Sequence, residues 1–201
     1  VGSISGSSIN FGTAQTIQVT GFKPALVYDT VNNKVILSYV DSGNNGYGVS
    51  IVGTVSSSSN DITFARDGSN LIKSTFYNNY TGHTKAAFHQ EQGKVVVSYV
   101  DHTVDKVYVV AGNLSGTTVS YGTPLLVDNT QVGTTPELDI FYHSGMKRIL
   151  IVREAGDQNG RIFGFSLNGT ALTATRSVTY RSANTQQQSL VDYPPSKRVH
   201  V

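Results

Sequence analysis

The residues best suited to chemistry are acidic side chains that recur at the end of a repeated apolar segment. Asp41, Asp101 and Glu154 each close one copy of that segment. Carboxylate and amide oxygens are the ligands that Ca²⁺ prefers, and Asp41 opens a loop rich in Asn at residues 41–46. That loop has no second carboxylate, and Asp and Asn also favour turns through local hydrogen bonds. We therefore predict no metal site, and we keep the three acids as candidate ligand-binding residues.

A second candidate for ligand binding is a segment rich in aromatic and amide side chains. It consists of Phe76, Tyr77, Asn78, Asn79 and Tyr80. Aromatic faces can stack on sugar rings, and amide groups can pair with sugar hydroxyls. The segment therefore predicts carbohydrate contacts. The alternative interpretation is an ordered connector whose aromatic side chains cover the edge of a sheet.

The sequence contains no recognisable pattern for catalysis. Its five histidines form neither His-x-x-x-His nor His-Glu-x-x-His, and no Gly-x-Ser-x-Gly, phosphate-binding loop or dinucleotide fingerprint occurs. A pair of carboxylates could hydrolyse glycosides. However, the Ser-x-Asp-x-Gly-x-x-Trp box of sialidases is missing and the chain has no Trp. We predict no catalytic residue, no cofactor and no enzyme activity.

A repeat that runs through the chain positions these candidates. Lys34–Asp41 reads KVILSYVD, recurs as KVVVSYVD at Lys94–Asp101 and returns in weaker form at Lys147–Glu154. The last residues, 197–201, resemble the beginning of a fourth copy. An aromatic or apolar residue precedes each lysine by six positions, at Tyr28, Phe88, Phe141 and Val191.

Each repeat of about 50–60 residues is predicted to hold four short strands. Four antiparallel strands at this period are typical of a propeller blade, and the second strand is apolar on both faces. The predicted fold is all-β, a propeller-like array of four-stranded antiparallel blades with three full repeats and one split between the termini. The predicted single repeat domain, 1–201, divides into a half blade (1–21), three blades (22–83, 84–135 and 136–188) and a half blade (189–201) completing the first.

The predicted alignment of the repeats also predicts which residues form the core and what the two half blades do. A half sheet leaves an unpaired strand edge, which proteins avoid. We expect the halves to complete one sheet, either within one chain as a closed ring, which we favour, or between chains as a filament. The predicted core residues are Val35, Leu37, Phe88, Val95, Val97, Phe141, Ile149 and Ile151.

The amino-acid sequence of the first repeat resembles that of a known family. Residues 28–48, followed by Ile51–Val55, and the segment SINFGT at 8–13 are similar to the tandem repeats of phage tail-fibre and related appendage proteins. The resemblance covers essentially the whole chain and is weakest in the third repeat, where Arg153-Glu154 replaces Val-Asp. It implies an extracellular or virion-surface location. It also implies partners among other copies of the chain or neighbouring fibre subunits, with surface glycans as further candidates.

The composition agrees with a β-rich chain and excludes several classes of protein. Charged residues make up 14%, with 15 Lys and Arg against 13 Asp and Glu and no basic run, so no nucleic-acid partner is expected. Apolar runs are strand-sized, which predicts no membrane span. With no signal peptide and no initial Met, we interpret the chain as a mature product or part of something longer.

The sequence thus favours a structural or adhesive repeat module of an extracellular appendage, such as a phage tail fibre or surface filament. Two alternatives stay open. One is a carbohydrate-binding, lectin-like propeller for host or surface recognition, and the other is a glycosidase-like propeller enzyme.

Overall fold

The computed structural model is all-β. It describes residues 1–17, 21–44, 46–56, 58–65, 70–73, 83–132, 137–155, 157–182, 191–193 and 198–200. Strands account for about 65% of this part of the chain. The one helical segment within it is a turn of 3₁₀ helix at Ser42–Asn44. The predicted dominance of strands is confirmed.

The chain begins with a two-stranded hairpin, followed by a five-stranded sheet that we call sheet 1. The N-terminal hairpin consists of β1 (Gly2–Ser5) and β2 (Ser8–Phe11). Sheet 1 consists of β3 (Gly21–Asp29), β4 (Lys34–Asp41), β5 (Tyr47–Val55), β6 (Ile62–Phe64) and β7 (Asn70–Lys73). The strand order is β3-β4-β5-β6, and β7 also pairs with β5. All of these pairs are antiparallel.

Two further antiparallel sheets and a second hairpin follow. Sheet 2 consists of β8 (Thr84–His89), β9 (Lys94–Asp101), β10 (Lys106–Ser115), β11 (Thr118–Tyr121) and β12 (Leu125–Leu126). Sheet 3 consists of β13 (Leu138–His143), β14 (Arg148–Glu154), β15 (Gly160–Asn168) and β16 (Ala171–Arg181). The C-terminal hairpin consists of β17 (Val191–Tyr193) and β18 (Arg198–His200). Within the described strands no ladder joins the two hairpins, and completion of one sheet from both stays a prediction.

The turn between the first and second strands gives the register of the three repeats. The residue before the second strand has a positive φ in each sheet: 54° at Asn33, 59° at Gly93 and 54° at Lys147. This left-handed conformation suits Gly and Asn and is unusual for lysine. Lys147 therefore occupies the turn position of Asn33 and Gly93. Arg148 begins β14 and matches the lysines that begin β4 and β9.

The turn before the third strand supports the same register. Gly46, Asp105 and Gln158 share a positive φ in that turn. Counting forward from Arg148 as from Lys34 to Asp41, the position of the acids that end β4 and β9 is taken by Ala155, whose N–H donates across the turn to Asn159 at 2.9 Å. The predicted equivalence of Glu154 with the two aspartates is therefore wrong by one residue. Aligning Lys147 with the earlier lysines caused the shift.

The three sheets pack face to face in chain order. The second strand of sheet 2 is covered on both sides, with Val95 and Val97 toward sheet 1 and Val96 and Val100 toward sheet 3. The core between sheets 1 and 2 contains Ile36, Val40, Val52, Val95, Val97, Tyr99, Val110 and Val119. The core between sheets 2 and 3 contains Ala87, Val96, Val100, Val107, Val109, Ala111, Val127, Leu138, Ile140, Ile149, Ile151, Phe163, Phe165 and Leu167.

Most of the predicted core is confirmed. The buried members are Val35, Leu37, Val95, Val97, Ile149 and Ile151. Phe88 and Phe141 are only half-buried, so that part of the prediction is wrong. Both lie on the first strand of a sheet, which is hydrogen-bonded to a neighbour on one side only, and their side chains border an open groove.

A glycine opposite an aromatic residue recurs across the third and fourth strands. The pairs are Gly2–Phe11, Gly53–Phe64 and Gly112–Tyr121. A Cβ on Gly112 would lie 2.9 Å from the Tyr121 ring, so the ring fits only because residue 112 has no side chain. Sheet 3 reverses the arrangement, with Phe165 opposite the small Ala174. In sheet 3 the large aromatic side chain therefore lies on the third strand instead of the fourth, and the pair keeps one large and one small member.

A close backbone contact also recurs where one unit meets the next. A Cβ on Gly12, just after β2, would lie 2.1 Å from the carbonyl oxygen of Asn60. A Cβ on Gly122, just after β11, would lie 2.9 Å from the carbonyl oxygen of Thr170. Asn60 and Thr170 both lie in the turn between the third and fourth strands of the following sheet. The N-terminal hairpin therefore sits on sheet 1 in the way that sheet 2 sits on sheet 3.

Candidate functional site

The two recurrent aspartates organise the turns that follow their strands. Asp41 Oδ1 accepts a hydrogen bond from the N–H of Gly43 at 3.0 Å. Asp101 is buried, and its Oδ1 accepts from the N–H of Thr103 at 3.0 Å and from its hydroxyl at 2.5 Å. These short-range bonds are those of Asx turns. The structure thus explains both carboxylates through local turn geometry.

Glu154 lies at the end of β14, one position out of register with the two aspartates. The carboxylate that organises the turn after it is Asp157, which accepts from the N–H of Asn159 at 3.2 Å and from its side-chain amide at 2.8 Å. Asp157 also pairs with Arg161. These hydrogen bonds and the nearby arginine hold the pKa of Asp157 below its usual range, although burial opposes them.

The predicted ligand contacts of the acids stay a prediction. Across the described ranges, no group of three or more His, Asp or Glu side chains could hold a metal ion. The aromatic and amide-rich segment lies outside the described residues, so its predicted contacts also remain a prediction. Its members are Phe76, Tyr77, Asn78, Asn79 and Tyr80.

A different concave site lies between the first strands of the three sheets. We call it the first-strand groove. Its volume is about 340 Å³, within the range of small-molecule sites. β3 contacts β8, and β8 contacts β13, so the groove takes one wall from each sheet. Its aromatic walls are Tyr28, Phe88, Phe141 and Tyr142, and Thr30 and Gln90 supply polar groups.

The first-strand groove combines flat apolar faces with hydroxyl and amide groups. Tyr28 is 45% exposed, and its hydroxyl donates to Asn33 Oδ1 at 2.5 Å. The Tyr142 ring lies 4.2 Å from that of His89, centre to centre, with a tilt of 35°. Burial lowers the pKa of His89, which favours a neutral imidazole beside the groove. Such a site suits a neutral, hydroxyl-rich ligand with an apolar ring face.

Sequence reasoning found part of this groove but gave it a different role. Tyr28, Phe88 and Phe141 were recognised by their recurrence six residues before a lysine, and the last two were predicted to be core. Tyr142 was missed because of the one-residue shift in the third repeat. In the corrected register Tyr142, rather than Phe141, is the counterpart of Tyr28 and Phe88.

A second concave surface lies on the face of sheet 3 that points away from sheet 2. We call it the sheet-3 groove, and its volume is about 620 Å³. Its lining is mostly apolar, with Arg148 and Arg176 contributing the charges. The apolar lining comes from Met146, Leu150, Ile162, Gly164 and Val178. The sequence predicted that the second strand would be covered on both faces and could not show that, among the described residues, this part of sheet 3 borders an open groove.

In the part of the chain that the structure describes, no helix has the length and apolar character needed to cross a membrane. No protein-family model and no curated protein matches the chain. The two grooves and the stacked sheets are therefore interpreted from their geometry.

Proposed function

We propose that the chain is a structural and adhesive repeat module of an extracellular appendage, such as a phage tail fibre or a surface filament. The observation that carries this proposal is the stacking of successive sheets through two apolar faces each. Asp41 and Asp101, which recur at the end of the second strand, form turns. We assign no catalytic role to any residue.

The proposal includes a propeller-like arrangement of the sheets. Its support is the contact of the first strands with one another, β3 with β8 and β8 with β13, together with a strand order that runs from the first strand to the fourth in each sheet. Radial packing places the first strands side by side in this way. Because a four-stranded sheet cannot cover its own faces, each unit depends on its neighbours for stability.

Labelling of intact particles tests the proposed location. Antibodies raised against the folded chain should bind appendages on intact virions or cells of the source, without permeabilisation. Antibodies preabsorbed with the purified chain provide the control. Signal that appears only after membranes are opened would contradict an extracellular role.

The first-strand groove favours a second candidate function, carbohydrate binding for surface recognition. Its aromatic walls offer ring faces, and Thr30 and Gln90 offer polar partners. Sugars present both an apolar ring face and hydroxyl groups, so the groove matches this class of ligand. Attachment to a glycan-coated surface is compatible with the structural role, because Tyr28, Phe88 and Gln90 of the groove lie outside the apolar cores between the sheets.

Replacing Tyr28 with alanine should weaken glycan binding by about tenfold or more if the groove is the site. The variant should keep its fold because Tyr28 is 45% exposed. A glycan array identifies the ligand, and titration calorimetry measures the loss. Val31→Ala is the matched control, since Val31 is 64% exposed and does not line the groove. Equal affinity of Tyr28→Ala and the original chain would exclude this site.

A further inference from the structure

The junction between sheets 1 and 2 shows how one unit contacts the unit before it. Sheet 2 directs Leu114, Val119 and Tyr121, at the far end of β10–β11, toward sheet 1. The Tyr121 hydroxyl lies 2.6 Å from that of Ser50 on β5. Burial raises the pKa of Tyr121 to about 12. This end of the third and fourth strands therefore packs on the third strand of the preceding sheet.

The N-terminal hairpin carries the same apolar positions without a preceding sheet. The registers of β1–β2 and β10–β11 equate Ile4, Ile9 and Phe11 with the three residues of sheet 2. In the hairpin these side chains are 77%, 55% and 77% exposed. Their counterpart Val119 is 4% exposed. The hairpin thus presents a face that is covered at the equivalent place in sheet 2.

The opposite face of the hairpin is already attached to sheet 1. The Asn60 side-chain amide donates to Ser3 Oγ at 3.0 Å and to the backbone oxygen of Asn10 at 2.8 Å. The N–H of Thr13 donates to Asp61 Oδ1 at 2.9 Å. Because side chains alternate between the two faces of a strand, these contacts leave the apolar face available.

The sheet-3 groove holds the position that would receive this face. Ile162 pairs with Val152 in sheet 3 as Ser50 pairs with Ser38 in sheet 1, so Ile162 takes the place of Ser50. In sheet 1 two serines meet the hydroxyl of a tyrosine. In sheet 3 both positions are aliphatic, and the matching residue of the hairpin is Phe11, which has no hydroxyl. Polar meets polar at one junction, and apolar would meet apolar at the other.

We propose that the sheet-3 groove binds the N-terminal hairpin of a second copy of this chain, with Phe11 packed on Ile162. This inference rests on the proposed structural role and names its partner. The hairpin of the same chain is held on sheet 1 and contributes no residue to the groove. Because the two surfaces differ, each added copy leaves one of each free, and head-to-tail assemblies follow.

Sedimentation velocity of the full chain tests the proposal. The original chain should associate as its concentration rises. Phe11→Asp and Val178→Asp should each weaken association by at least about tenfold, because each places a charge in the contact. Mixing the two variants should restore a complex of one copy of each, since the first keeps its groove and the second keeps its hairpin.

A compensating pair of substitutions tests the contact itself. Phe11→Tyr should weaken association because its hydroxyl would meet Ile162, and Ile162→Ser should weaken it by removing the apolar partner. The double variant recreates the pairing of Tyr121 with Ser50 and should associate more tightly than either single variant. Circular dichroism checks that each variant is folded.

Val104→Asp is the matched control, because Val104 is 45% exposed in a turn of sheet 2 and lies on neither surface. Its association should equal that of the original chain. A chain that stays monomeric at every concentration, or Phe11→Asp and Val178→Asp variants that associate like the original, would overturn the proposal. Either result would leave the appendage-labelling test of the structural role unaffected.

Discussion

Replacing Asp128 with alanine should lower the free energy of unfolding by about 3–5 kcal/mol, because it leaves a buried charge without its partner. Arg153 is 1% exposed, and its Nη1 donates to Asp128 Oδ1 at 2.7 Å. Burial lowers the pKa of Arg153, and the Asp128 carboxylate opposes that shift. Urea unfolding followed by circular dichroism measures the loss. A loss under about 1 kcal/mol would show that the pair behaves like a surface ion pair.

The register of the repeats supplies a matched control for this prediction. Arg153 holds the position of Tyr39 and Tyr99, which are buried in sheets 1 and 2. The double variant Asp128→Ala, Arg153→Tyr removes both charges and restores the residue used elsewhere. Replacing both members of a buried ion pair with packed apolar groups is often close to neutral. We expect the double variant to recover more than half of the lost stability, and no recovery would contradict the charge argument.

Replacing Phe165 with alanine should also cost about 3–5 kcal/mol, because it opens a cavity between sheets 2 and 3. Phe165 is 1% exposed and belongs to the core of that junction. Its cross-strand neighbour, Ala174, is too small to fill the space. Urea unfolding should show a lower midpoint with an unchanged slope.

Two controls separate a cavity from a general loss of structure. Adding Ala174→Phe to Phe165→Ala recreates the small-and-aromatic order of the pair Gly112–Tyr121 and should recover part of the loss. Phe88→Ala, at a half-buried site, should cost less than Phe165→Ala because less apolar surface leaves contact. A larger loss at Phe88 would contradict the packing described for the first strands.

The repeated sequence predicted the strands closely where the pattern is local. β4 and β9 have the bounds of the repeated segments Lys34–Asp41 and Lys94–Asp101, and their apolar residues are buried as expected. The third repeat was misaligned by one residue, because Lys147 resembles the lysines that begin the earlier strands but sits in a left-handed turn. Side-chain identity suggested one register, and the backbone conformation required another.

The candidate sites depended more strongly on contacts between distant residues. The sequence identified Tyr28, Phe88 and Phe141 as recurrent, but their position beside an open groove follows from how three first strands lie next to one another. Asp41 and Asp101 form turns, as their residue types favour, because an Asx turn involves neighbours in the chain.

Alternation and composition indicate that a strand is covered on both faces, since each side chain responds to its own surroundings. The identity of the covering partner has no such local signal. Arg153 meets Asp128 across 25 residues, and Ser50 meets Tyr121 across 71. These pairs form only when separate sheets pack together. Among the described residues, that packing also leaves the sheet-3 groove and the apolar face of the N-terminal hairpin uncovered.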